Sequence, residues 1–142
     1  MQGCVRHVAE WLPRLSLLEE LLLESCCITV HDIDVLFDGE TTLPIHTLSL
    51  SDNEFGDIGA TSLASHLKRM PRMQHLGLDN VGITATGLSA VVAACPKVKT
   101  LKISDNDLEN VTPTALSKVM RLVSRVWPPP CTLVCVCVCV CV

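Results

Sequence analysis

One spacing of apolar residues returns four times along the chain, and it constrains the fold more than any other feature. In its second occurrence Leu48 and Leu50 stand two residues apart, so in an extended segment their side chains leave the same face. Asn53 follows where a chain leaving a strand must turn, and its amide can satisfy backbone groups that no neighbouring strand reaches. The pattern therefore predicts a short strand followed by a turn. The four segments are Leu18–Ile28, Ile45–Phe55, Met73–Ile83 and Val98–Leu108.

The intervals between these segments predict helices that return the chain from one strand to the next. Equivalent strand positions are 27, 28 and 25 residues apart, which leaves room for a helix in each interval. In the second interval Leu63, Leu67 and Met70 recur at helical spacing, and Asp57 is predicted to cap the helix. The third interval, 84–95, has the same spacing and is predicted to end at Pro96.

The remaining intervals give weaker or longer helical patterns. The first, Thr29–Thr42, carries two apolar turns before Asp38 and Gly39 interrupt it. Residues 1–12 have helical spacing too, and this helix is either the return helix of a preceding repeat or a starting cap. The last interval begins with Thr112 as cap and Pro113 at the first helical position. Its apolar stripe is Leu116, Val119, Met120, Val123 and Val126.

The pattern L-x-x-L-x-L-x-x-N-x-L in these segments resembles the leucine-rich repeat, and its length resembles the ribonuclease-inhibitor-like subfamily. Gly59 and Gly87 hold the small-residue position of that subfamily, whereas Asp32 and Thr112 depart from it. The asparagine position holds asparagine in the second and fourth segments, cysteine in the first and valine in the third. The resemblance implies an α/β solenoid of about four repeats, with parallel strands on a concave face and helices on the convex face.

The composition divides the chain into three parts. We expect an N-terminal helix or partial repeat over 1–16, leucine-rich repeats over 17–127, and a disordered tail over 128–142. The tail begins with three prolines and from Val134 alternates valine and cysteine, as a GT dinucleotide repeat encodes when it is translated in frame, and both faces of such a strand would be apolar. We interpret it as microsatellite read-through. With no evident polar cap at either end, the chain is expected to be a fragment of a longer solenoid with marginal stability.

Charge and motifs exclude several classes of function. The net charge of −4 and the lack of a basic run argue against nucleic acid or an anionic membrane as partner. Arg6, Glu10 and Arg14 interrupt any secretory signal, and Glu19 and Glu20 interrupt any membrane span. No phosphate-binding loop, nucleophile elbow or zinc-protease motif is present. We therefore expect no enzyme activity and no cofactor.

The cysteines and histidines favour structural roles. Five of the nine cysteines lie in the tail; a thiolate metal cluster there is the alternative to microsatellite read-through, but no histidine or basic residue accompanies them. Cys26 and Cys95 are expected to be small apolar core residues, and the absence of flanking cysteine clusters predicts reduced thiols and a cytoplasmic location. His46 and His75 occupy different pattern positions and are expected to be exposed or hydrogen-bonded rather than catalytic.

The aspartates after the strands have two interpretations. Asp52, Asp79 and Asp105 would line one rim of the sheet as an acidic row. Such a row could be a charge-selective partner surface or a weak cation site. The interpretation favoured here is that these residues solvate the turns beside the asparagine position. We expect no metal site.

The non-leucine positions of the strands are expected to face outward on the concave sheet and to form a protein-binding surface. This surface has no aromatic residue, so low affinity is expected. The resemblance extends to the C-terminal repeat arrays of NOD-like receptors, intracellular innate-immune proteins, and implies a fragment involved in ligand sensing or regulation. The alternative is a truncated, poorly folded product without independent function. The predicted binding residues are Glu20, Glu24, Thr47, Ser49, Ser51, Asp52, His75, Asp79, Asn80, Thr100, Lys102 and Asp105.

Overall fold

The computed structural model describes residues 2–95 and 97–108, and in these residues short strands alternate with helices. A helix and a 3₁₀ turn precede the first strand. In chain order the elements are α1 Gln2–Trp11, the 3₁₀ turn Leu12–Arg14, β1 Glu20–Leu22, α2 Val30–Phe37, β2 Thr47–Ser49, α3 Gly56–Leu67, β3 His75–Gly77, α4 Ala85–Ala94 and β4 Thr100–Lys102.

The strands form one parallel sheet in chain order, β1-β2-β3-β4. The register aligns the central leucines: Leu21 pairs with Leu48, Leu48 with Leu76, and Leu76 with Leu101. Each of these side chains is at most 9% exposed, because strand centres point toward the helices on the convex side. The predicted solenoid of about four repeats is confirmed, and the sequence pattern was in phase at every strand.

One asparagine in the second repeat and one in the fourth each connect their repeat to the repeat before it. Asn53 is 1% exposed, and its Oδ1 accepts hydrogen bonds from the backbone N–H groups of Cys26 (3.1 Å) and Ile28 (2.9 Å). Its Nδ2 donates to the C=O groups of Leu23 and Leu50 at 2.9 and 2.8 Å. These turn groups lie beyond the last pairs of the ladder, so the amide satisfies what the sheet does not.

Asn106 repeats the arrangement two repeats later. Its Oδ1 accepts from the N–H groups of Val81 (3.0 Å) and Ile83 (3.2 Å), and its Nδ2 donates to the C=O of Leu78 at 2.7 Å. The repeats that hold Cys26 and Val81 in the asparagine position are therefore the ones whose turns receive these bonds. The asparagine position thus alternates between repeats that hold an asparagine and repeats whose turn backbone is hydrogen-bonded to the asparagine of the next repeat.

The return helices bury one face each against the leucines of the sheet. Leu63 and Leu67 of α3 are at most 2% exposed, and Leu88 and Val91 of α4 are 1% exposed. The first return helix, α2, is short and also forms as the pattern predicted. Its buried apolar side chains are Ile33, Leu36 and Phe37.

Asp57 does not cap its own helix, which corrects the sequence prediction. The residue before α3 is Phe55, and no side chain caps this end. The Asp57 carboxylate instead reaches the start of α4: Oδ1 accepts from the N–H groups of Thr84 (2.8 Å) and Gly87 (3.0 Å), and Oδ2 accepts from the Thr84 hydroxyl (2.6 Å). One repeat thus supplies hydrogen-bond acceptors to the start of the next helix, whose own N-cap residue, Thr84, accepts from the N–H of Thr86 at 3.3 Å.

Asp32 and Gly87 occupy the same position in their repeats, and the contact of Asp57 with α4 explains why the residue types there differ. In α2, Thr29 and Asp32 form a capping box within the same helix, with the Thr29 N–H donating to Asp32 at 2.9 Å. In α4 the carboxylate comes from Asp57, so the equivalent position must leave room for it. A Cβ at Gly87 would lie 2.5 Å from Asp57 Oδ1 and 3.1 Å from Ala60 Cβ.

The N-terminal residues form the predicted helix. Val5 and Val8 of α1 are half-buried against the core, Leu12 is 2% exposed, and α1 packs on α2. Three other predictions lie outside the described residues. They are the helix stop at Pro96, the interval that starts at Thr112 with its apolar stripe, and the tail 128–142.

Candidate protein-binding face

The strand register builds the concave face from rows of side chains at equivalent positions. The first row runs across all four strands as Glu20, Thr47, His75 and Thr100. Glu20 and His75 are exposed, and the two threonines are half-buried. Adjacent strands are about 4.8 Å apart, so this row forms a continuous polar strip about 15 Å long.

The second row has larger exposed residues at its ends and small residues in its centre. Leu22 is 59% exposed in β1, and Lys102 is exposed in β4. Between them Ser49 and Gly77 are buried, and a Cβ at Gly77 would lie 2.6 Å from Ser49 Oγ. The centre of the face therefore admits little more than backbone and hydroxyl groups.

The prediction that every binding residue faces outward is wrong at Ser49 and Ser51. They are 7% and 6% exposed, because neighbouring groups occupy their hydroxyls. Ser49 Oγ donates to Glu24 Oε1 at 2.6 Å, and Ser51 Oγ accepts from the N–H of Asp79 at 3.1 Å. These two serines form the floor of the face, and Glu24 and Asp79 lie over them.

The residues that follow the strands are turn residues. Ser25, Asp52, Asn80 and Asp105 share one repeat position and all adopt left-handed backbone, with φ between 49° and 58°. Asparagine and aspartate tolerate this conformation better than other non-glycine residues. Asn80 Nδ2 also donates to Asp52 Oδ1 at 3.0 Å. The structure thus supports the turn interpretation for Asp52 and Asp105.

Asp79 does not join Asp52 and Asp105 in one acidic row, because it lies one repeat position earlier. Its Oδ1 accepts from the backbone N–H of Ser104 at 2.7 Å, which links the third repeat to the fourth. Among the described residues, no group of three or more histidine, cysteine, aspartate or glutamate side chains is arranged to hold a metal ion.

The charges of the face differ from one end to the other. Glu20 and Glu24 are exposed in and after β1, whereas Lys99 and Lys102 are exposed at β4. Thr47 of β2 and His75 of β3 lie between these two ends. Within the strands the acidic Glu20 thus lies at the β1 end of the face and the basic Lys102 at the β4 end, and the turn after β4 adds the exposed Asp105.

The cysteines and histidines are only partly as expected. Cys26 is exposed rather than a core residue, and its thiol donates to the C=O of Glu24 at 3.2 Å. Cys95 is half-buried against the core, and burial raises the pKa of its thiol to about 12. His46 Nε2 lies 3.3 Å from Glu19 Oε2, and His75 is exposed.

Within residues 2–95 and 97–108 no helix is long and apolar enough to cross a bilayer.

Known proteins resemble this chain in its repeats and its fold. A family model described as Leucine Rich repeat matches residues 44–64, which contain β2 and the first part of α3. A solved structure titled Leiomodin-1 Actin-Binding Site 2 is 18% identical, with a TM-score of 0.58 over 84% of this chain and 87% of that one. The tropomodulin C-terminal domain of Caenorhabditis elegans is 13% identical, with a TM-score of 0.61 over 88% and 92%. At these identities the two structures show a shared leucine-rich repeat fold.

Proposed function

We propose that this chain is a protein-protein interaction module that binds its partner through the concave face, and that it is not an enzyme. The observation that carries the proposal is the row Glu20, Thr47, His75 and Thr100, which the strand register holds in fixed positions and in which Glu20 and His75 are exposed. A rigid sheet presents these side chains without a loss of backbone freedom on binding. The actin-binding title of one structural neighbour supports a protein as the class of partner.

The segregated charges define which partner surface would fit. Glu20 and Glu24 favour basic groups at the β1 end, and Lys99 and Lys102 favour acidic groups at the β4 end. At the centre of the face, the buried Ser49 and Gly77 admit little more than backbone and hydroxyl groups of the partner. Without an aromatic anchor on this face, the affinity should be in the micromolar range.

We propose further that the repeats are of the ribonuclease-inhibitor-like type and derive from a NOD-like-receptor-type or related sensing protein. Helical return legs support this assignment, and so does the small residue at Gly59 and Gly87. A cytoplasmic location is proposed on the same basis. The exposed thiols of Cys26 and Cys27, which are free in the structure, are compatible with a reducing compartment.

The experiment is a quantitative capture of partners from cytosol by the immobilised full chain, followed by affinity measurement for each captured protein. Purified actin is one defined candidate to include. Lys102→Glu and His75→Ala should each weaken binding at least about threefold, since both side chains are exposed on the face. Lys68→Glu is the matched control: the same change at an exposed position after α3 should leave the affinity unaltered.

Equal effects of Lys102→Glu and Lys68→Glu would contradict binding through the concave face. If the chain is unfolded by circular dichroism and captures only chaperones, the alternative of a truncated product without independent function is correct. Circular dichroism distinguishes the two results, because equal effects of Lys102→Glu and Lys68→Glu count against the concave face only when the chain is folded.

A further inference from the structure

The outer edge of β1 is open to another strand. Among the described residues β1 pairs with β2 alone, at one end of the sheet. The N–H groups of Leu23 and Ser25 donate to the C=O groups of Ser49 and Ser51 at 2.9 and 3.1 Å, so odd-numbered residues here face β2. Backbone groups alternate in direction along a strand, so those of the even-numbered residues 20, 22 and 24 point away from the sheet.

The side chains of these three residues share the concave face, since they are two apart. Leu22 is 59% exposed, and the exposed Glu20 and Glu24 stand on either side of it. Neither carboxylate forms an ion pair within residues 2–95 and 97–108. The Ser49 hydroxyl holds Glu24 Oε1 at 2.6 Å, which fixes that carboxylate over the sheet. The edge therefore presents an acidic, apolar, acidic sequence of contacts.

These charges disfavour a second copy of the chain as the added strand. In an antiparallel pair centred on Leu22, Glu20 of one copy would lie opposite Glu24 of the other, and a parallel pair would also bring like charges together. Residues 128–142 of the chain itself carry no basic residue, so they lack the complementary charge.

We propose that the β1 edge binds an extended segment of a partner protein as a fifth strand, and that this segment carries lysine or arginine two residues before and after an apolar residue. Its backbone pairs with the outward groups of Glu20 and Leu22, and its two cations pair with the Glu20 and Glu24 carboxylates. Its apolar residue covers Leu22. The inference deepens the proposed function, on which it rests, by naming a recognition sequence at the β1 end of the face.

The test measures fluorescence anisotropy of a labelled peptide containing Lys-Val-Leu-Val-Lys on titration with the full chain at physiological ionic strength. A peptide of the same composition with adjacent lysines, Val-Lys-Lys-Leu-Val, is the matched control. Saturable binding of the first peptide, at least about tenfold tighter than the second, is expected because only alternate spacing places both cations on one face. Equal binding would overturn the proposal, since charge alone would then explain it.

Three variants separate backbone pairing from side-chain contact. Leu22→Pro removes an outward N–H without removing a bond to β2, and should weaken binding about tenfold. Leu22→Thr keeps that N–H and should weaken binding less. The charge reversal Glu20→Lys with Glu24→Lys should abolish binding and create affinity for the peptide Glu-Val-Leu-Val-Glu, which tests the proposal even if Leu22→Pro fails to fold.

Other outcomes contradict the proposal directly. If Leu22→Pro and Leu22→Thr have the same affinity, no strand is added. If sedimentation shows a dimer of the parent chain that Leu22→Pro abolishes, the occupant is a second copy. If the full chain does not bind the peptide but Lys102→Glu still weakens binding of the captured partner, this inference alone is overturned and the proposed function stands.

Discussion

At the scale of single residues, a few buried or half-buried polar side chains hold successive repeats together. Asn53 and Asn106 each make five hydrogen bonds to backbone groups, in their own repeat and in the one before it. Asp57 makes three bonds to the repeat after it. Because buried backbone groups are costly to leave without partners, these side chains contribute more to stability than their size suggests.

Asn53→Ala should lower the free energy of unfolding by about 3–4 kcal/mol, since it leaves several buried N–H and C=O groups without partners. The neighbouring Glu54 is exposed, so Glu54→Ala is the control and should change stability by less than about 0.5 kcal/mol. Urea unfolding followed by circular dichroism measures both. Equal stability of the two variants would show that the amide does not connect the repeats.

Asp57 makes the link between α3 and α4 dependent on pH. Burial alone would raise the pKa of this carboxyl, but hydrogen bonds from the Thr84 hydroxyl and from the backbone N–H groups of Thr84 and Gly87 outweigh it and lower the pKa. A depressed pKa means that the stabilisation is complete above the unfolded value of about 3.9 and is lost as the pH falls through the folded value.

Asp57→Ala should therefore cost about 1–3 kcal/mol at pH 7. The difference from the parent chain should shrink as the pH falls below about 3.9, because the parent carboxyl then becomes protonated. Unfolding curves between neutral and strongly acidic pH measure this difference. A difference that stays constant or grows in acid would contradict the conclusion that the Asp57 carboxylate stabilises the start of α4.

At the scale of elements, α3 and α4 pack closely because the first turn of α4 has no side chain at Gly87. Asp57 Oδ1 and Ala60 Cβ lie 2.5 and 3.1 Å from where a Cβ would be. The same repeat position in α2 holds Asp32, which closes its own capping box. The starts of α2 and α4 thus each receive one carboxylate, from the third residue of the helix in α2 and from the preceding repeat in α4.

Gly87→Ala should destabilise the chain by about 1–3 kcal/mol through overpacking, although alanine is the better helix former. Thr86→Ala, at the exposed neighbouring position, is the control and should cost less than about 0.5 kcal/mol. The cost of Gly87→Ala should fall when Asp57→Ala is also present, because the closest contact is removed. Additive effects in that double-mutant cycle would show that the two residues do not interact.

The elements were predictable from sequence where local periodicity decides, and the contacts between them were not. Leucines two residues apart predicted each strand and its register, because the same spacing recurs in every repeat. Capping rules consider residues three or four positions apart, whereas Thr84 and Gly87 are 27 and 30 residues after Asp57. Likewise the pattern placed Ser49 on the concave face but could not show that Glu24, 25 residues earlier, occupies its hydroxyl.

Cys26 illustrates a different limit of the sequence argument. Cys26 occupies the asparagine position of the first repeat. The residue at this position in the second repeat, Asn53, is buried, so the pattern predicted a buried thiol. In the structure the backbone N–H of Cys26 donates to Asn53 Oδ1, and the Cys26 side chain is left exposed. Which repeat provides the amide and which accepts it depends on pairs of repeats, and a single repeat does not contain that information.

At the scale of the whole molecule, the described chain is a stack in which each helix packs on its sequence neighbours and each strand pairs with the next. Stability in such a stack is a sum over adjacent interfaces, so loss of one interface divides the solenoid. The concave face inherits its order from this stack. Its acidic end lies at the open edge of β1 and its basic end at β4, and the proposed partner contacts depend on both.

The most direct test of this account is the cross-strand network of nuclear Overhauser effects in the isotopically labelled chain. We predict backbone contacts that connect Leu21 to Leu48, Leu48 to Leu76 and Leu76 to Leu101, in the parallel register of the four strands. Helical contacts without any cross-strand network, or a ladder in which Leu48 pairs with Gly77, would contradict the stacked solenoid and the binding face built on it.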